Sequence, residues 1–172
     1  PGANVQQGSR IPHVAYAAGD FSHAVTNSSD RPLRNVAVEL IRPQGAIRNR
    51  CEEAVRGQPL VDCDMPSSTA PAQLPLHYAL FETDEVLVEY WELGPNATIA
   101  PADDRFDSLI GDPNGVVTPE SSENGVSDPA LWIRGGLLWV PALSKGVFKM
   151  GPDGGHYIAI KFKDSAPLRQ SE

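Results

Sequence analysis

Hydrophobic positions along this chain alternate with polar ones over short runs and almost nowhere recur at the spacing of a helical face. The clearest runs are Val36-Ala37-Val38-Glu39-Leu40-Ile41, Val86-Leu87-Val88-Glu89-Tyr90-Trp91, Leu137-Leu138-Trp139-Val140 and Tyr157-Ile158-Ala159-Ile160-Lys161-Phe162-Lys163. In the last run Ile158, Ile160 and Phe162 fall on one face, Lys161 and Lys163 on the other, as a half-buried strand requires. Turn residues punctuate the runs: Ser29-Asp30-Arg31-Pro32, Gly94-Pro95-Asn96, Gly111-Asp112-Pro113-Asn114-Gly115 and Gly151-Pro152-Asp153-Gly154-Gly155. The pattern predicts an all-β protein. Over residues 43–75 the alternation dissolves, and this stretch reads as a linker with a short helix near residues 52–56.

Composition narrows the function classes. A chain of 172 residues with 41% hydrophobic content can bury a real core. Its net charge of −8 argues against a nucleic-acid partner, which would demand a basic stripe. No apolar run is long enough to span a bilayer. The first residues, Pro1-Gly2-Ala3-Asn4, lack the basic and apolar regions of a secretory leader, so the chain reads as cytoplasmic or already processed.

Cys51 and Cys63 sit in the polar stretch of residues 43–75. A disulfide between them would hold an irregular loop by limiting its unfolded freedom, worth roughly 2–4 kcal/mol. That reading implies an oxidising compartment, secreted or periplasmic; two separate surface thiols in the cytoplasm are the alternative. No histidine or further cysteine lies nearby to complete a zinc site.

The spacing of glycine and proline in the C-terminal half resembles the cupin family. A cupin barrel carries a glycine, five residues, His-x-His, an acid and a later glycine, then a second motif of a glycine, five residues, Pro-x-Gly, a histidine and an asparagine. Gly135, five residues and Pro141 match the front of the second motif, the 157–163 run matches the strand after it, and Gly94 with Gly115 frames the first. Counting from Gly94 places Ala100 and Ala102 at the two histidines and Asp107 at the acid; counting from Pro141 places Gly146 at the last histidine and Met150 at the asparagine. The resemblance implies an antiparallel jelly-roll barrel, a double-stranded β-helix, over residues 76–165. It also implies that this barrel has lost its metal site, since alanine and glycine side chains offer a metal no lone pair. Asp107 then reads as a turn or surface carboxylate, the alternative being a lone acid in a ligand pocket.

Residues 1–45 resemble part of a second cupin barrel. Phe21-Ser22-His23, three residues and Asn27 fit the end of the second motif, and Ser29-Asp30-Arg31-Pro32-Leu33 turns into the run at residues 36–41. Half a barrel leaves backbone groups and an apolar face uncovered. The segment is therefore expected to pack on the C-terminal barrel, to pair with a second copy, or to be completed by another fragment of the same precursor. His23 would be a metal ligand only if such a completion supplied the others; otherwise it is a hydrogen-bonded barrel histidine. Residues 46–75 are the linker carrying the cysteine loop, and residues 166–172 a tail.

Other chemistry is thin. His13, His77 and His156 read as strand-end residues beside turns; Trp91, Trp132 and Trp139 as core or barrel-lining rings able to stack on a small ligand. Asp103, Asp104, Asp107 and Asp112 offer oxygen ligands without the spacing of an EF-hand. Asn27 and Asn96 begin triplets that fit N-glycosylation. Two function classes follow. One is a non-catalytic cupin-like binding or assembly protein, with no cofactor, a small molecule in its barrel and self-association through β-strand pairing. The other is a piece of a metal-dependent bicupin enzyme (a dioxygenase, decarboxylase or isomerase) whose active barrel is the incomplete N-terminal one.

Overall fold

In a computed structural model the chain is described at residues 14–19, 26, 30, 36–64, 74–99, 105–111, 117–120, 131–133, 137–143 and 147–163. Ten strands run in order β1 (Arg48–Asn49), β2 (Leu76–Glu82), β3 (Val86–Leu93), β4 (Thr98–Ile99), β5 (Asp107–Gly111), β6 (Val117–Glu120), β7 (Leu131–Ile133), β8 (Leu137–Val140), β9 (Val147–Met150) and β10 (Gly155–Phe162). Among the described residues there is no helix. Seven strands form one open antiparallel sheet in the order β1-β2-β3-β10-β5-β8-β7, and three form a second, β4-β9-β6.

The longest ladder joins β3 to β10, from Gly155 opposite Leu93 to Phe162 opposite Val86. Side chains alternate across a strand, so this ladder sends two different sets to the two faces of the large sheet. On the inner face Leu93, Ile110, Leu138, Val140, Tyr157 and Ala159 meet Phe148 and Met150 of the small sheet, forming one core between the two sheets. On the outer face Tyr78, Leu80, Phe81, Val88 and Tyr90 meet Cys51 and Ala54, with Ile158 and Ile160 partly buried against them. Both faces of β10 are thus covered. Tyr157 and Ala159, on the lysine-bearing face, are more deeply buried than the isoleucines on the other, which corrects the half-buried strand read from the sequence.

The cover over the outer face is the stretch that reads as a linker. Cys51 and Cys63 are bonded, S–S 2.10 Å, and Cys51 is buried against the sheet. The loop is stitched on by its backbone: the Arg50 and Glu52 amides donate to the Leu80 carbonyl and the Cys51 amide to that of Ala79. These carbonyls are available because β2 shifts register between Ala79 and Phe81, a bulge that leaves Leu80 outside the regular ladder and wholly buried. Asn49, also wholly buried, organises the loop from inside. Its Nδ2 donates to the carbonyls of Val55 (2.8 Å) and Gln58 (2.9 Å), and its Oδ1 accepts from the Val55 amide (2.8 Å). The short helix expected near residues 52–56 does not form, because these side-chain bonds take backbone groups that a helical turn would use.

The described residues of the N-terminal segment contribute packing in place of strands. Tyr16 lies on Phe81, ring centroids 5.5 Å apart, and its amide donates to the Ala54 carbonyl. The run at residues 36–41, expected as a strand, forms none, and Val36, Val38 and Ile41 are exposed. Behind it the Asp84 carboxylate accepts from the Gly45 and Ala46 amides, pinning the chain to the β2–β3 turn. At the far end of β3 the turn before β10 needs glycine: Gly154 has φ +72°, and a Cβ there would stand 2.7 Å from the Leu93 carbonyl oxygen.

Asn49 is the residue on which the outer layer's order most depends. Asn49→Ala removes three part-buried hydrogen bonds to the loop backbone and is expected to lower unfolding free energy by about 2–4 kcal/mol in urea titration. A loss near zero would mean that the loop is not held from within.

Candidate functional site

Among the described residues the inner face carries a polar cluster centred on Glu89. Glu89, 4% exposed, stands in the middle of β3 between Ala79 of β2 and Ala159 of β10, its directly opposed neighbours. Those two small side chains leave room for longer ones on the diagonals to reach the carboxylate. His77 arrives from β2, its Nε2 3.1 Å from Glu89 Oε1. Lys161 arrives from β10, its Nζ 3.0 Å from Oε2. From two residues along the same strand the Trp91 indole N–H donates to Oε2 at 3.2 Å.

An aromatic row backs the cluster. His77, Trp91 and Tyr157 are opposed across three strands. His77 stacks on Trp91 at 3.8 Å between centroids, and Trp91 lies parallel to Tyr157 at 6.1 Å. Tyr157 is fixed in the core, whereas the His77 side chain is 40% exposed and that of Lys161 19%. The cluster therefore runs from a buried acid to two basic groups that reach solvent.

Electrostatics follow from this arrangement. Burial by itself would push the Glu89 carboxyl upward, but the His77 hydrogen bond and the Lys161 ammonium outweigh it and hold the group below the ordinary carboxylate value. Burial, reinforced by the Glu89 charge, pushes the Tyr157 phenol well above its usual range. One row further along, Glu82 is held below its ordinary value against the effect of burial by Lys163 and Arg50, both of which hydrogen-bond it. Acid and base thus alternate across β2, β3 and β10 as neutralised pairs.

The positions implied by the cupin resemblance are distributed differently. Asp107 opens β5 and its Oδ1 accepts from the Ala142 amide at 2.6 Å, tying β5 to the turn after β8. Met150 is a core residue, 1% exposed. Ala100, Ala102, Gly146, His13 and His23 lie outside the described residues, as do Asp103, Asp104 and Asp112. Among the described residues no three histidines, cysteines or acids stand together as metal ligands, and no helix is long and apolar enough to cross a membrane. His156 stacks on Tyr90 on the outer face, at 5.8 Å. Trp139 tilts against Phe162, at 5.3 Å, and Trp132 belongs to β7.

His77 does stand at a strand end, the second residue of β2, but its tie to Glu89 is not visible in the sequence, and Lys161 belongs to a half-buried face and not to the solvent face the sequence suggests. Glu89 was passed over inside a hydrophobic run. The signal for it is the parity of β3: Leu87, Glu89, Trp91 and Leu93 share a face, and an acid centred among three large apolar residues needs a counter-charge from a neighbouring strand.

The Glu89 carboxyl sets a sign for acid stability. A folded-state value below the unfolded one, about 4.3 for glutamate, contributes stability that is present above that pH and lost as pH falls through the folded value. Glu89→Gln is therefore expected to destabilise by about 2 kcal/mol at pH 7, less than for a fully buried pair because His77 and Lys161 reach solvent. Urea titration at pH 7 and at pH 3 checks this: the gap between wild type and variant should narrow at the lower pH. A gap that is constant with pH would rule out the ionised pair as its source.

No family model, no curated protein and no solved structure matches this chain, so the inner face is read from its own chemistry.

Proposed function

We propose that the chain is a secreted or periplasmic, cupin-like protein that acts without catalysis, as a binding module on the inner face of its sandwich and as a subunit that self-associates through β-strand pairing. The cupin reading is supported by the Gly135 to Pro141 spacing around β8 and by two antiparallel sheets sharing a core. The Cys51–Cys63 bond fits an oxidising compartment. Alanines at 100 and 102 favour a barrel with no resident transition metal over an oxygenase-type site.

One observation carries the binding reading. A carboxylate is buried in an apolar layer and met by an imidazole and an ammonium that extend to solvent. Such a pair contributes little to stability, since replacing a buried ion pair by apolar residues is often neutral or stabilising by about 1–4 kcal/mol. Recognition accounts for the group better: charged atoms in fixed geometry beside stacked rings are what a ligand site needs. Self-association is favoured by a different observation, the exposure of Val36, Val38 and Ile41 in a run with strand-forming sequence that forms no strand.

Two measurements test the parts separately. Screening a chemically mixed fragment set by NMR should give hits that move the Trp91 indole N–H, and that are lost in His77→Ala; a set that leaves this signal still would remove the binding reading. Native mass spectrometry should show a species heavier than one 18.5 kDa chain. A monomer at micromolar concentration would remove self-association and leave binding standing.

A further inference from the structure

We infer that the inner-face cluster takes a neutral, polyhydroxylated ligand, a sugar ring in particular. The inference deepens the binding reading and rests on it.

Charge is the first argument. Lys161 neutralises Glu89 within the site. An anionic ligand would have to settle beside a buried carboxylate, and a cationic one beside the Lys161 ammonium. Each meets a like charge at a margin where water screens poorly. A neutral ligand meets neither penalty.

Hydrogen-bond capacity is the second. Glu89 Oε1 receives His77 Nε2, and Oε2 is met by Lys161 and the Trp91 indole, so the carboxylate fixes the imidazole in place. In the neutral tautomer that donates from Nε2, Nδ1 is an acceptor, here on a side chain 40% exposed. An acceptor at the solvent edge of a stacked ring calls for a ligand with donors along its own rim. Vicinal hydroxyl groups supply them.

Shape is the third. His77 presents one ring face to Trp91 at 3.8 Å and the other away from it. β1 pairs only with Phe81 and Glu82, so no strand among the described residues lies beyond β2 at the level of His77. The outward face of the imidazole is thus a flat platform backed by an indole, able to stack against the C–H face of a pyranose while its edge takes the hydroxyls.

The test is an NMR titration of the full chain with a charge series on one ring scaffold. D-glucose, D-galactose and D-mannose are the neutral members, D-glucuronate the anion and D-glucosamine the cation, followed through the Trp91 indole N–H and the His77 ring signals. At least one neutral sugar is expected to move these signals with an affinity about tenfold or more above both charged analogues. Equal or tighter binding of glucuronate or glucosamine overturns the inference and leaves the binding reading intact. So does a result in which no sugar binds while fragments of other chemistry move Trp91; if neither sugars nor fragments do, the binding reading falls too. Glu89→Gln removes the negative charge and should reverse the order in favour of glucuronate. An unchanged order in a folded variant overturns the inference, and if that variant does not fold, the wild-type series decides alone.

Discussion

The eight-residue register between β3 and β10 is the constraint from which the other layers take their places. Because the side-chain period is two, one pairing assigns Leu93, Tyr157 and Ala159 to the inner core and Val88, Tyr90 and Ile158 to the outer one. Slipping it by a single residue would exchange the two sets and put Glu89 under the cysteine loop. The same register sets Ala159 against Glu89, as the β2 register sets Ala79 against it, and so opens the diagonal space through which Lys161 and His77 reach the acid. Core and polar cluster are two consequences of one alignment.

The bulge at Leu80 links that alignment to the outer layer. Ahead of the bulge, Ala79 keeps its place opposite Glu89; beyond it, Phe81 faces Val88. The extra residue sends both Leu80 and Phe81 into the outer core, and the carbonyls of Ala79 and Leu80 receive the amides of residues 50–52. Burying a leucine side chain is worth roughly 1.5–3 kcal/mol, enough to favour a local break in the ladder when the broken bonds find new partners. The loop joined by Cys51 and Cys63 is thereby part of the fold, with Asn49 satisfying the backbone groups that its irregular path leaves over.

Acidic groups along β2 and β3 are arranged on a common principle. Glu82 is shared by Arg50 from the loop and Lys163 from the end of β10, while Glu89 is shared by His77 and Lys161. Each acid bridges elements distant in sequence, and each is held ionised against its burial by two bases. Such pairs tie register more than they add stability, since a slipped strand would leave a charge without its partner.

The sequence by itself determined that this is an all-β chain, where β3, β8 and β10 run, where the turns at Pro95 and Pro152 fall, and that Cys51 and Cys63 could bond, because alternation, turn chemistry and cysteine placement are local properties. It could not determine which face of β10 is the more buried. That depended on the layers laid over it: the small sheet packs on Tyr157 and Ala159, and residues 47–63 cover the other face, their polar composition hiding the few side chains, Ile47, Cys51, Ala54 and Val55, that dock. The run at residues 36–41 has the alternation of a strand and forms none, because a strand also needs a partner edge, and pairing is decided between distant segments. The cluster around Glu89 was illegible for the same reason. Its members come from positions 77, 89, 91 and 161, and only the tertiary registers of β2 and β10 against β3 bring an imidazole and an ammonium to one carboxylate.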